Sequence, residues 1–381
     1  MVTSKQFLIQ AVVLLAAAIL TACAPSTPLP DEPAATTPTP AVINTLPAAD
    51  RFQIGFSNTV ISSDFRNQMI ADLINVNGEY QSDGLTADLV FESADTDLAG
   101  QVQQIQNLIE KKVDAILVYP SDSEGLKPAL EQAVQSGILV LAVGVEINLP
   151  GVYNVGIDQT KRSNQIAQWL ADQMGGDGEL VQLQANPASL TAPLQKKSFA
   201  SVLAKYPGIK VVTQAPVNLN PAVIPDTSSS KAVMLEILRQ NPEIRGVLAE
   251  DGTALGALQA IAETKPDKLS FLTGDPNCFY ITLWRDVQMN KPNFASIAVA
   301  DPPGATAPTA LRIAVNLLQG EKPDPAKLGG AAGTTFIVPN IPPVTLDNFE
   351  QQFFLQCMGK PASFQMDTIM TREAVQDFFI K

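Results

Sequence analysis

Short apolar runs rich in β-forming residues alternate with stretches of helical periodicity along most of this chain, and that rhythm narrows its fold more than any other feature. Phe52 to Phe56, Asp88 to Phe91, Ala115 to Tyr119 and Ile138 to Val143 read as strands. Between the second and third of these, Leu98, Val102, Ile105, Leu108 and Ile109 recur at the spacing of one helix face. The run ILVLAV, residues 138 to 143, is apolar on both faces, as a parallel strand covered by helices must be. The pattern then repeats, with strands at Val152 to Ile157, Glu179 to Gln184, Lys210 to Gln214, Gly246 to Ala249 and Leu269 to Thr273. Helices such as Lys161 to Met174 and Val233 to Gln240 separate them. The expected class is α/β, built twice: two Rossmann-like lobes, each a parallel sheet flanked by helices. From Asp50 onward the chain has about 330 residues, enough for two cores.

The first fifty residues do not share the rhythm. Lys5 begins an otherwise uncharged segment whose apolar core, Ala11 to Leu20, is about half as long as a membrane-spanning helix requires. This is the anatomy of a cleavable signal peptide, expected to end at residue 22. Leu20-Thr21-Ala22-Cys23 resembles the lipobox of bacterial lipoproteins, which implies acylation of the Cys23 thiol and a lipid anchor in a membrane. Residues 24–49 carry seven prolines among Thr, Ala and Ser, too few bulky apolar side chains to repay ordering. Residues 23–49 are therefore expected to act as an extended tether that holds the domain off the membrane.

Composition excludes several functions. The net charge is −13, and clustered Lys and Arg suited to a phosphate backbone are missing, so nucleic acid is not an expected partner. The chain has no histidine, which removes Ser-His-Asp and Cys-His nucleophiles and His-ligated zinc. No phosphate-binding loop of the G-x-x-x-x-G-K-[ST] type occurs, and Gly175-Gly176-Asp177-Gly178 reads as a helix-to-strand turn. Neither an enzymatic activity nor a cofactor or metal is expected. Apart from Cys23, only Cys278 and Cys357 lie beyond the leader, an even pair that permits one disulfide in an oxidising compartment.

In open α/β sheets ligands lie at the carboxyl ends of the strands. Here the segments following the strands are polar: SNTVISSDFR, YPSDSEG, GIDQT, LAEDGTALGA and LTGDPN. Each single Asp or Ser also suits a helix cap, but several such loops facing one cleft point to ligand binding.

IGFSNTVISSDFRNQM, QVQQIQNLIEKKVDAILVYPSDSEGLKPALEQAVQSGILVL, NVGIDQTKRSNQIAQWLADQMGGDGELVQLQ, KYPGIKVV and AEDGTALGALQAI together resemble the periplasmic sugar-binding proteins of ABC importers, of the ribose and galactofuranose type. The likeness runs from about Arg51 to Gly320. It implies two lobes joined by three chain crossings, expected near Gly156, Ala300 and Phe336, with a sugar or polyol in the cleft. The first lobe would comprise residues 50–156 and 301–335, the second 157–300 and 336–346, with 347–381 as a tail. It further implies a monomer outside the cytoplasm that delivers its ligand to permease subunits. A sensor that presents a furanose-type signal to a receptor would share the same fold.

The resemblance also implies site residues: Phe65 and Arg66 in the first loop, Tyr119 and Asp122 after the third strand, Glu250 or Asp251 and Asp275 in the second lobe. Phe65 and Tyr119 have alternative readings as packing residues. Trp284 and Arg285 are further candidates, with Trp284 also suited to burial against the sheet. Two positions depart from the family pattern: Gly144-Val145 stands where many relatives have Asp-Arg, and Gln195, beside Lys196, where an arginine is usual. In the tail, TTFIVPNIPPVTLDN resembles the third crossing and final strand, and Thr371 reads as the N-cap of a last helix with Glu373, Ala374 and Val375. A Cys278–Cys357 bond would tie this tail to the second lobe.

Overall fold

A computed structural model describes residues 51–184, 191–217 and 227–381. The expected leader (1–22), Cys23 and the tether (23–49) lie outside the described residues. Strands and helices follow one another as β1 (Ile54–Asn58), α1 (Asp64–Ser82), β2 (Val90–Ser93), α2 (Leu98–Glu110), β3 (Ala115–Val118), α3 (Lys127–Gln135), β4 (Leu139–Val143) and β5 (Val152–Gly156). There follow α4 (Gln159–Gln173), β6 (Asp177–Gln184), α5 (Ala192–Leu203), β7 (Gly208–Pro216), α6 (Thr227–Gln240), β8 (Gly246–Ala249) and α7 (Ala254–Thr264). The chain continues through β9 (Phe271–Gly274), α8 (Cys278–Asn290), β10 (Ala295–Ala298), α9 (Ala307–Leu318), β11 (Thr335–Ile337), α10 (Phe349–Gln356) and α11 (Arg372–Val375).

Two parallel sheets result. The first has the order β11-β5-β4-β3-β1-β2, the second β10-β9-β8-β6-β7. Each central strand is buried along its length: β3 and β8 expose nothing on either face. This is why their sequences are continuous apolar runs instead of alternating ones. Helix starts are fixed by side chains that satisfy otherwise unpaired backbone donors. Asp97 accepts from Gly100 at α2, Asp158 from Lys161 at α4, and Asn277 from Tyr280 at α8. Among the described residues no helix is long and apolar enough to cross a membrane.

The chain passes between the lobes at the end of β5, again after β10, and again after β11. After β10 it enters α9, a buried helix packed on the first sheet with Ala310, Leu311 and Ala314 fully covered. The third crossing falls later than the sequence suggests. Phe336 belongs to β11, paired with Val155 of β5, and is buried against Tyr153, Phe378 and Phe379. The change of lobe occurs between Val338, which donates to the Gly156 carbonyl, and Val344, which exchanges two backbone hydrogen bonds with Ala298. Three aromatic partners outweigh any preference for a linker at that position.

The tail is not a single appendage to the second lobe. Its first part belongs there: Phe349 of α10 packs edge-on against Trp284, ring centroids 4.9 Å apart, and Cys357 is bonded to Cys278. The separation of 79 residues between the cysteines means the bond removes roughly 4 kcal/mol of unfolded-chain entropy in the loop-closure picture. Its last part lies on the first lobe. Thr371 caps α11 by accepting from Ala374, and the Arg372 guanidinium pairs with Asp83 and lies 4.0 Å from the Tyr80 ring centroid. Phe378 and Phe379 then close over Phe336.

Candidate functional site

The carboxyl edges of both sheets open toward one another. On the first lobe, β1 ends in Asn58, whose amide donates to the Val60 carbonyl and to Ser93, bending the chain away from the sheet and into α1. Phe65 and Arg66 thus stand in the first turn of that helix. The loop after β3 is held from beneath by Gln101 of α2, which is wholly buried and bonds the Tyr119 carbonyl at 2.9 Å and the Ser121 amide at 2.8 Å. Tyr119 is thereby presented to Arg66. The guanidinium carbon lies 3.0 Å from the Tyr119 ring centroid, and Phe65 meets the same ring edge-on at 6.3 Å. Beneath the ring is Gly144, with φ +78°, where an added Cβ would come within 2.7 Å of the phenol. The glycine found in place of the usual acidic residue is therefore what makes room for the tyrosine.

On the second lobe the organiser is Arg162 of α4, 1% exposed. Its Nη atoms donate to both oxygens of Asp251 at 2.9 and 2.7 Å, and its Nε donates to the Val299 carbonyl at 3.0 Å. Gln195 of α5 donates to the same carboxylate. The Asp251 side chain keeps 41% exposure on its open side, toward the cleft. Asp275 is differently used: its two oxygens accept the Gly252 and Leu255 amides, both at 3.0 Å, and so hold the loop that presents Asp251. Glu250 is turned inward, accepting from Gln182 at 3.2 Å. Asp301, in the second crossing, accepts from Gln159 at 3.0 Å.

The electrostatics tie the two halves together. Burial raises the Asp301 carboxyl, and the Asp251 charge adds to this, while Arg162, Gln159 and Arg66 oppose it. Burial likewise depresses Arg66, against the pull of Tyr119 and Asp301. Burial also works against charge on Arg162, but Asp251 more than offsets it, so this guanidinium is raised and Asp251 is lowered. Burial, with the nearby Asp251 charge, pushes Asp275 up to about 6. Among the described residues, Arg66 Nη1, Ser121 Oγ and Gln159 Oε1 are buried without a hydrogen-bond partner. Unpaired buried donors and acceptors are costly, and a polyhydroxylated molecule can satisfy them. Beside this cluster a cavity of about 460 Å³ lies between the lobes, walled by Gly144, Val145 and Glu146 on one side and Asp158, Gln159 and Leu194 on the other.

Of the residues named from sequence, Phe65, Arg66 and Tyr119 form one contact group and Asp251 faces it from the second lobe. Asp122 serves its own turn, accepting the Glu124 and Gly125 amides. Trp284 is a core residue, and Arg285 lies over the Phe353 ring on α10. Arg162, Gln159 and Asp301 were not anticipated. Asp301 carried a legible signal, since VADPPG repeats the strand-then-carboxylate pattern of AEDG and TGDPN. Arg162 carried only its position, one turn after the Asp158 cap.

These shifts have a pH consequence. Asp275, at about 6, and Asp301 have folded pKa values above the usual unfolded value near 4, so between those values the native state holds protons that the unfolded chain has lost. Stability should therefore increase as pH falls from 8 to about 5. Below about 4 it should decline, as Asp251, whose folded pKa is lowered, becomes protonated. Urea unfolding at pH 8, 5.5 and 3 checks the order; greater stability at pH 8 than at 5.5 would contradict it.

Comparison with known proteins agrees with this architecture. Residues 54–322 match the family model described as a periplasmic binding protein domain. A xylitol-binding protein of Mycolicibacterium smegmatis is 36% identical over 178 residues, which cover 46% of this chain and half of that protein. A ribose import binding protein of Bacillus subtilis is 25% identical over 273 residues, 71% of this chain and 83% of its own. Among solved structures, an ABC transporter solute binding protein of Thermobispora bispora superposes with a TM-score of 0.70 at 20% identity, covering 86% of this chain and 94% of its own, a likeness of fold. With seven tenths of its length matched in the order of its two sheets, the chain belongs to the periplasmic binding protein domain family.

Proposed function

We propose that this protein is the solute-binding component of an ABC importer and that it captures a small hydroxylated ligand, a sugar or polyol, by closing its two lobes. The observation that carries the reading is the unpaired Arg66 Nη1, buried against the Tyr119 ring and within the field of the Asp301 carboxylate, with Asp251 acting on the same tyrosine from the second lobe. Hydroxyl groups can accept from the guanidinium and donate to a carboxylate, while a carbon skeleton covers the rings of Phe65 and Tyr119. The relatives named for xylitol and ribose are consistent with such a ligand. Micromolar binding requires about 8 kcal/mol, so contacts from both lobes must contribute.

A thermal-shift screen of pentoses, hexoses and polyols tests the ligand class. A true ligand at a hundred times its dissociation constant stabilises the protein by about 2.7 kcal/mol. With that ligand, Arg66→Ala and Asp301→Asn should each weaken binding by one to two decades, since hydrogen bonds to charged groups are worth roughly 1.5 to 3 kcal/mol. Asp122→Ala, which removes a turn contact only, should leave affinity within about twofold. Unchanged calorimetric affinity in both Arg66→Ala and Asp301→Asn would place the ligand elsewhere.

The same proposal includes the amino terminus. Acylation at Cys23 would anchor the protein extracytoplasmically, within reach of permease subunits, with residues 24–49 as spacer. Two acyl chains give stable anchoring where one gives marginal binding. In a bacterial host, native protein should fractionate with membranes and Cys23→Ser should not. Equal distribution of the two forms would remove the anchor from the account.

A further inference from the structure

The tail makes a connection between the lobes that the three crossings do not include. Gln365 is sandwiched. On one side the strand 364–366 pairs with the loop 276–278 of the second lobe: Cys278 N–H donates to the Phe364 carbonyl at 2.9 Å, and Met366 N–H to the Pro276 carbonyl at 2.8 Å. On the other side a single side chain of the first lobe grips the same residue. Gln68 of α1 accepts from the Gln365 N–H at 2.9 Å and donates to its carbonyl at 3.1 Å. Asp367, next along, accepts from Gln68 at 3.1 Å and from the Gly304 amide at 2.7 Å, both on the first-lobe side. The strap is covalently fixed at its start by Cys357–Cys278 and buried at its end by Phe378 and Phe379 on Phe336.

Its two attachment points are elements of the cleft. Gln68 lies two residues beyond Arg66 in α1, and Pro276 directly follows Asp275. We propose that residues 364–367 are a latch that sets how far apart the Arg66 helix and the Asp275 loop can move, and so governs the equilibrium between open and closed lobes in the free protein. This rests on the reading that the lobes move, and adds a determinant of affinity outside the ligand contacts. A hinge of three crossings can rotate, whereas a fourth tie held by paired backbone bonds on one lobe and an amide grip on the other opposes rotation until one set breaks. Because a ligand shifts a lobe equilibrium only by its differential affinity, a change in latch strength alters apparent affinity without touching the pocket.

The test uses the full-length protein without ligand. Spectroscopic labels carried by non-natural amino acids at exposed Glu131 on the first lobe and exposed Lys197 on the second report the interlobe distance by pulsed dipolar spectroscopy. Gln68→Ala removes three hydrogen bonds and should raise the population at long distance at least fivefold, the effect expected from one neutral hydrogen bond alone. Reduction of Cys278–Cys357 in the otherwise native protein should shift it in the same direction. An unaltered distribution in Gln68→Ala, with circular dichroism showing the fold intact, would overturn the latch, as would reduction that narrows the distribution. Failure of the ligand reading is a separate result: ribose, xylitol and other polyols would leave the native distribution unmoved while the Gln68 effect persisted.

Discussion

The cleft depends on the ion pair between the buried Arg162 and the partly exposed Asp251. One guanidinium holds the loop after β8 through Asp251 and the segment after β10 through the Val299 carbonyl, and its charge also acts on Asp301 and Asp275. Burying such a pair is not a strong source of stability, because desolvation offsets most of the attraction. Removing Asp251 is another matter: the Arg162 charge, 1% exposed, is then left without its carboxylate, which is strongly destabilising. The pair therefore serves mainly to fix geometry. It fixes the segments after β8 and β10 in one arrangement, with the Asp251 side chain left 41% exposed.

The first lobe solves the complementary problem with packing. Gln101 and Gly144 decide where Tyr119 lies, and Tyr119 decides where Arg66 lies. An arginine stacked on an aromatic ring keeps its in-plane donors available, which a salt-bridged arginine does not. The two arginines of the cleft thus divide the work. Arg162 is consumed by the protein, and Arg66 keeps a donor in hand.

Most of the fold was legible in the sequence because parallel sheets buried on both faces leave a strong signature: AILV at β3 and GVLA at β8 admit few other readings. Boundaries moved where tertiary packing outweighed local preference. β1 runs two residues later than its apolar pattern suggests, since the buried Ser57 hydroxyl donates to Gln104 and the Asn58 amide nitrogen to Ser93 and the Val60 carbonyl. Phe336 became a strand residue because three aromatic rings converge on it. The site was legible in part. Loops rich in Asp after strands marked the right edge of each sheet, but not which carboxylates serve a turn, as Asp122 does, and which face the opposite lobe, as Asp251 does. Arg162 escaped notice because a buried cation is recognised only by its partner, 89 residues away in sequence. The Cys278–Cys357 bond and the Thr371 cap of the tail were legible in the sequence, but the strap's hold on the first lobe was not, since its grip is a single glutamine on α1, 297 residues from Gln365.

On the proposed function, a hydroxylated ligand bridges Arg66 and Tyr119 of one lobe and the Asp251 and Asp301 carboxylates opposite them. A crystal structure of the protein with the compound that gives the largest thermal shift tests it directly. Expected are a ligand oxygen within hydrogen-bond distance of Arg66 Nη1, another on Asp251 or Asp301, and a carbon face against the Tyr119 or Phe65 ring. Well-ordered ligand bound by one lobe alone, or seated away from Arg66, would contradict it.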